Sequence, residues 1–536
     1  MTSPPPPTKA LVFDAASART TLFSALLETV RTYGADRPAL EDVERAPITY
    51  GRLVLGALVL GNALARDTRR GEVIGLMLPN VNGLPVTLFG LNAYGRVPAM
   101  LNFSAGLKNL RSAVQIGAIR RVVTSRRFIA TAKLEDVIAG LSETEVTPGK
   151  KLEIVYLEDI RKKLGLKDKI GGLLRSKFAA RVHKRHALGP DQPGVMLFTS
   201  GTEGTPKGVV LSNANLVSNA RQIFAHAGGL LMPSDTVLNP LPIFHSFGLT
   251  AATLMPLLNG MKVVLYPSPL HYKEIPKLIA ATRATVLFAT DTFLQGYGRA
   301  AETDDLKSVR YVIAGAEKVK DQTRVQWGKY GATILEGYGA TECSPVITCN
   351  LPHRTKPGSV GAFLPGIEYR LEPVTGITEG GRLHVKGPNV MSGYMLADKP
   401  GVLVPTKDGW HDTGDIIDVD SEGLVMIKGR AKRFAKVGGE MISLAAVEAL
   451  VAAMWPDANH VVLSMPDARK GEQLVLMTDK RGADRATMIA AAQAEGIPEL
   501  WVPKAILVVD TIPTLATGKV DFMAANDLAS NLRMSG

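Results

Sequence analysis

The chain has 536 residues and a formal net charge of +12, too long for one hydrophobic core and long enough for two or three self-sufficient domains. With 46% apolar and 21% charged residues, 52 Gly and 33 Pro, the composition excludes a disordered or fibrous chain and fits a loop-rich α/β enzyme. No uninterrupted apolar run reaches the roughly 18 residues of a membrane span, and the two cysteines, Cys343 and Cys349, form neither a CxxC pair nor a disulfide framework.

Along the chain, apolar runs at 72–77, 121–124, 153–157, 261–266, 285–288 and 308–314 alternate with helical stretches, which predicts helices packed on mixed sheets. Between them lies a basic segment, 161–186, where ten Lys or Arg residues meet one acid, Asp168. Within it Leu166, Ile170, Leu173, Leu174, Phe178 and Val182 recur at helical spacing, and Gly171 with Gly172 weakens any continuous helix. Such a segment fits an anionic membrane surface, an acidic protein, or a docked helix with a solvated basic face. Charge rises again after Gly429, in Arg430, Lys432, Arg433 and Lys436, and we expect a boundary there. That divides the chain into an N-terminal domain, 1–429, and a small α/β C-terminal domain, 430–536. The proline cluster at the start is not followed by a basic segment and apolar stretch, so no signal peptide is expected. With the two cysteines this predicts a cytoplasmic protein, with peripheral membrane contact through 161–186.

The strongest local signal for chemistry is the string 198–208, Phe-Thr-Ser-Gly-Thr-Glu-Gly-Thr-Pro-Lys-Gly, between two strand-like runs. Hydroxyls of Thr199, Ser200 and Thr202, glycines 201, 204 and 208, and the charge of Lys207 suit a loop that wraps a polyphosphate. It is not a Walker A loop, because Pro206 stands where that pattern needs Gly. The next signal is 336–345, Glu-Gly-Tyr-Gly-Ala-Thr-Glu-Cys-Ser-Pro, with an aromatic ring, Tyr338, for a base to stack on. It adds Thr341 as a hydroxyl donor and Glu342 as an acid for Mg²⁺. A carboxylate after a Thr-Gly turn follows at Asp415, and an ordinary turn explains that short pattern equally well. Basic strings at 427–440 and 515–521 complete the series.

In that order the five motifs resemble the adenylate-forming (AMP-binding) superfamily of acyl-CoA synthetases, luciferases and peptide-synthetase adenylation domains, over essentially the whole chain. Strings at 314–318, 381–389 and 427–443 resemble more narrowly the acyl-acyl carrier protein synthetase half of a bacterial bifunctional enzyme. That enzyme's acyltransferase half is not expected here, and the HxxxxD at 186–191 is taken as coincidence. The resemblance implies a large N-terminal domain of mixed sheets flanked by helices and a small mobile α/β C-terminal domain turning on a hinge at 430–433. It implies ATP and Mg²⁺ as cofactors, a fatty acid as substrate, acyl carrier protein as the preferred acyl acceptor with CoA as the alternative, and no nucleic acid; an adenylate-binding protein without turnover is the further alternative, and it would be expected to lack Lys519 or Glu342. Thr199, Ser200, Gly201, Thr202, Gly204 and Lys207 are then expected on the ATP phosphates and Glu342 on Mg²⁺. Tyr338, Gly339 and Thr341 are expected at the adenosine, with Gly315, Ala316 and Glu317 as the opposite wall and Asp415 and Arg430 at the ribose. His245 is expected as a gate to the acyl channel, Lys519 as the charge between carboxylate and α-phosphate, and Gly438 and Gly439 along a pantetheine tunnel. Lys432 falls at the hinge, where the family commonly has Asp.

Overall fold

The computed structural model describes residues 12–200, 206–374, 377, 379–437, 440–467, 471–494, 497–514 and 520–534. The chain divides into two compact units. The first comprises Met1–Arg354, Phe363–Glu368 and Lys386–His411; the second comprises Thr355–Ala362, Tyr369–Val385 and Asp412–Gly536. This packing division comes earlier in the chain than 429/430, because the strand Trp410–Val419 pairs with Val425–Arg430 and residues from 369 onward complete the same four-stranded sheet. A boundary read from charge could not show that return of the chain.

The first unit is built on two sheets. In one the spatial order is Lys399–Pro405, Gly393–Leu396, Pro206–Ser212, Pro193–Ser200, Val97–Met100, Val73–Leu76, Arg121–Thr124 and Glu153–Tyr156. Pairing is parallel from Val97–Met100 to Glu153–Tyr156 and antiparallel through the strands at 193–212 and 393–405. In the other sheet Thr333–Gly339, Tyr311–Ala314, Val286–Ala289, Thr236–Asn239, Lys262–Leu265 and Pro38–Glu41 run parallel. All six runs predicted as strands form strands. Val286–Ala289, paired in parallel on both sides, is buried at every position, as a parallel strand covered on both faces must be.

Helices start where a side chain satisfies their free N–H groups. Tyr50–Ala65 begins at Thr49, whose hydroxyl accepts from the Arg52 N–H, and buries Leu53, Val54, Ala57 and Leu58. Each of the Leu and Val side chains removed from water stabilises the unit by about 1.5–3 kcal/mol. The basic segment forms three helices, Leu157–Lys163, Leu166–Lys177 and Ala179–His186. The breaks fall at Leu164–Gly165 and at Phe178, not at Gly171 and Gly172, through which the middle helix runs unbroken. A Cβ on Gly172 would lie 2.3 Å from Val59 Cγ2, so the glycine is placed for close packing on Tyr50–Ala65 and its helix cost is offset there.

The second unit holds the four-stranded sheet Glu368–Glu372, Gly381–Lys386, Trp410–Val419 and Val425–Arg430. It also holds the strands Glu440–Ser443, Phe434–Val437, Gly471–Thr478 and His460–Asp467, with Ala505–Val508 parallel to Gly471–Thr478. Leu444–Met454 packs Leu444, Val447, Leu450 and Val451 against Val437, Ile442, Val462 and Leu476. No helix among the described residues is long and apolar enough to cross a membrane.

Candidate functional site

Thr199 and Lys207 face each other across the hairpin Pro193–Ser200 and Pro206–Ser212, whose register pairs Thr199 with Lys207 and Ser200 with Pro206. Gly201, Thr202 and Gly204 lie outside the described residues. The strand Gly393–Leu396 continues the hairpin on its far edge, with Tyr394 opposite Val209. From there the Tyr394 ring takes Lys207 Nζ at 5.5 Å from its centroid, within the range of a cation–π contact. Its hydroxyl donates to Glu342 Oε1 at 2.8 Å. One tyrosine therefore joins the lysine of the first motif to the acid of the second.

Glu342 is held by its own backbone as well. It sits in the 3₁₀ turn Thr341–Cys343, and its carbonyl accepts from the Met391 N–H at 2.7 Å. Thr341 Oγ1 lies 3.3 Å from Ser246 Oγ, which brings the segment carrying His245 to the same turn. Upstream, Tyr338 pairs with Thr348 at the end of Thr333–Gly339. Gly339 has no room for a side chain: a Cβ would stand 2.1 Å from the Pro345 carbonyl oxygen.

Gly315, Ala316 and Glu317 follow the strand Tyr311–Ala314. A Cβ on Gly315 would meet the Phe247 ring at 3.2 Å and the Gly337 carbonyl at 3.6 Å, so this segment lies beside the strand that bears Tyr338. Ala316 adopts φ +72°, an uncommon conformation for a residue with a side chain. Glu317 Oε2 accepts from the Thr292 N–H at 3.0 Å and hydroxyl at 2.8 Å. His245 is half-buried, 4.8 Å from the Phe244 ring, and Phe244 meets Phe103 edge-on at 5.0 Å. Phe247 meets Phe288 at 5.7 Å. The His245 segment is thus bordered by aromatic rings.

Two groups nearby, the buried Glu336 and the half-buried Cys349, are structural. Glu336 is pushed above the usual carboxylate range by burial, against the pull of the Val319 N–H and the Arg324 guanidinium; it ties the strand Thr333–Gly339 to the helix Asp321–Gly328 and the turn before it. Burial pushes the Cys349 thiol up to about 12, which leaves it unreactive at neutral pH.

In the second unit Asp415 lies on Trp410–Val419 opposite Arg430, its carboxylate 3.1 Å from Arg430 Nε. The Thr-Gly-Asp string is part of a strand, with Gly414 at φ +70° and the Asp415 N–H donating to Thr413 Oγ1. Lys432 lies in the 3₁₀ turn Ala431–Arg433. Its neighbour Arg433 pairs with Glu448 and stacks on Phe522 at 4.1 Å. Gly438, Gly439 and Lys519 lie outside the described residues.

Residues 26–395 match the AMP-binding enzyme family. The chain belongs to it. This AMP-binding enzyme is 26% identical to a long-chain-fatty-acid–CoA ligase of Yersinia pestis over 84% of either chain. It is 28% identical to a probable 4-coumarate–CoA ligase 2 of Dictyostelium discoideum over 85% of either chain. Its fold superposes on ATP-bound MatB from Rhodopseudomonas palustris with a TM-score of 0.78 and 25% identity, covering 96% of this chain and 99% of that one. The mixed α/β fold with a large N-terminal and a smaller C-terminal domain is therefore that of the family, and the protein is an AMP-forming acid–thiol ligase. Both sequence relatives are CoA ligases, so they support the superfamily and not the narrower resemblance to a carrier-protein synthetase.

Sequence reasoning missed Tyr394 and Ser246. Tyr394 follows a glycine in an unremarkable strand, and only the sheet order brings it to Lys207. Ser246 carried a weak signal in adjoining His245.

Proposed function

We propose that this AMP-binding enzyme activates a fatty acid with ATP and transfers the acyl group to the thiol of CoA. The observation that carries the reading is the meeting of Lys207 and Glu342 at Tyr394, next to the expected phosphate loop. CoA is preferred over acyl carrier protein as acceptor because the relatives named above are CoA ligases.

In the first half-reaction a carboxylate oxygen attacks the α-phosphorus, the bond from the α-phosphorus to the α,β-bridging oxygen breaks, and pyrophosphate leaves. Two anions must be brought together, so the work is positioning and charge neutralisation. Thr199, Ser200, Gly201, Thr202, Gly204 and Lys207 hold the phosphates in this reading. Tyr338, Gly339 and Thr341 face adenosine opposite Gly315, Ala316 and Glu317. Asp415 accepts from the ribose hydroxyls and keeps Arg430 beside it. Lys519 supplies charge between the reacting oxygen and the α-phosphate. Glu342 suits Mg²⁺, a cation bound by one or two carboxylates together with phosphate oxygens: Tyr394 takes one of the about four acceptor sites of its carboxylate. When bound, the ion neutralises charge gathering on the phosphate oxygens. In the second half-reaction the thiol sulfur attacks the acyl carbon, AMP leaves, and the thiol proton passes to solvent. His245 gates the acyl channel, Lys432 lies at the hinge of the small domain, and Gly438 and Gly439 flank the pantetheine arm.

The test is product analysis with a panel of fatty acids, ATP, Mg²⁺ and either CoA or holo-carrier protein. Equimolar AMP, pyrophosphate and acyl-CoA are expected. ADP as the stoichiometric product would overturn the reading, and faster turnover with carrier protein at equal concentration would replace CoA as the acceptor.

A further inference from the structure

The helix Leu166–Lys177 is docked with its apolar side outward. At 3.6 residues per turn, Gly172, Asp168 and Arg175 share one side, and Leu166, Ile170, Leu173 and Leu174 share the opposite one. The first side meets the protein. Gly172 packs on Val59 and Leu55, and Asp168 pairs with Arg66 at the end of Tyr50–Ala65. The second side meets solvent: Leu166 is 72% exposed, Ile170 50%, Leu173 53% and Leu174 56%, and Phe178 at the end of the helix is 59% exposed. An ordinary surface helix has the reverse arrangement, with its apolar stripe on the core.

The charge around this ridge has one sign. All but Arg175 of the ten Lys and Arg residues in 161–186 are exposed, and the segment's lone acid, Asp168, is engaged by Arg66. A contiguous apolar patch rimmed by polar residues marks a docking surface. Leu and Phe set among lysines and arginines are the side chains that enter the boundary between headgroups and acyl chains. We infer that this face seats the protein on an anionic lipid surface, with the ridge inserted among the acyl chains and the basic rim on the headgroups. A lipid bilayer meets both features at once, apolar depth under a negative plane. The inference does not rest on the catalytic reading.

Co-sedimentation of the full chain with vesicles tests it. Wild-type protein is expected to pellet with phosphatidylcholine–phosphatidylglycerol vesicles and to stay in solution with phosphatidylcholine alone. Reversing charge at Lys177, Arg181 and Lys184 is expected to weaken anionic-vesicle binding on the order of a hundredfold. The pair Leu173→Ser and Phe178→Ser is expected to bind at low salt and release at high salt, where screening removes the electrostatic part. Both variants are expected to keep wild-type circular dichroism and ATP–pyrophosphate exchange, which separates loss of docking from loss of folding. Equal pelleting with both vesicle types, or charge reversal without effect, overturns the inference. So does a wild-type dimer in sedimentation that the serine pair dissociates, for the ridge would then be an interface between two copies.

Discussion

At the scale of single residues, Tyr394 sets up a measurable distinction. Its hydroxyl bond to Glu342 positions a carboxylate, whereas Glu342 itself is the proposed metal ligand. Glu342→Gln is expected to lower adenylation on the order of 10² or more, in line with several kcal/mol of charge stabilisation. Tyr394→Phe keeps the ring under Lys207 and removes only a hydrogen bond to a charged group, about 1.5–3 kcal/mol, so a loss of roughly ten- to a hundredfold is expected. Its signature is a raised Mg²⁺ requirement that excess Mg²⁺ relieves. ATP–pyrophosphate exchange across a Mg²⁺ titration is the measurement, and a loss unaffected by Mg²⁺ would leave Tyr394 a packing residue. The acid was legible in the sequence because Tyr338, Thr341 and Glu342 stand within five positions. The tyrosine was not, because its meaning comes from pairing with Val209 and no local pattern encodes a neighbour that distant.

At the scale of elements, periodicity was a sound guide to what forms and a poor one to which way it faces. The run at 308–314 is apolar enough to predict a strand, and Tyr311–Ala314 is one. The stripe in Leu166–Lys177 was equally visible, yet its orientation depended on Gly172 finding Val59, a contact between segments far apart in the chain. The following helix, Ala179–His186, has an anchor of its own. His183 Nδ1 meets the Ala93 carbonyl at 2.9 Å and Nε2 meets the Thr21 hydroxyl at 2.7 Å. Burial first, with the nearby His186 adding to it, holds the His183 pKa below the ordinary 6.5. The unfolded chain therefore binds the proton before the native one does, and stability falls as pH drops through about 6.5, levelling off below the native value. His183→Gln is expected to cost about 1–3 kcal/mol at pH 8 and to lose less on further acidification to pH 5.5. Thermal unfolding at both pH values checks this, and an acid loss equal to that of wild type would remove His183 as its source.

At the scale of the whole molecule, the proposed chemistry asks different things of the C-terminal residues in its two steps. Lys519→Ala is expected to abolish acyl-adenylate formation while still converting supplied acyl-adenylate and thiol to thioester. Lys432→Pro, which fixes the backbone torsion a hinge must change, is expected to do the opposite. Separate assays of the half-reactions decide, and equal losses in both steps would refute a division of labour. The sheet order carries one more consequence, for synthesis of the chain. Pro206–Ser212 finds its second neighbour only in Gly393–Leu396. A ribosome adding ~5–20 residues per second leaves that edge open for as long as it takes to make the intervening chain, with Val209, Val210 and Leu211, buried in the finished fold, lacking their cover. An unpaired apolar edge invites association with other nascent chains. The hairpin beside the proposed phosphate loop is therefore a segment in need of protection during translation, and slowing synthesis between positions 212 and 393 should lower the soluble yield.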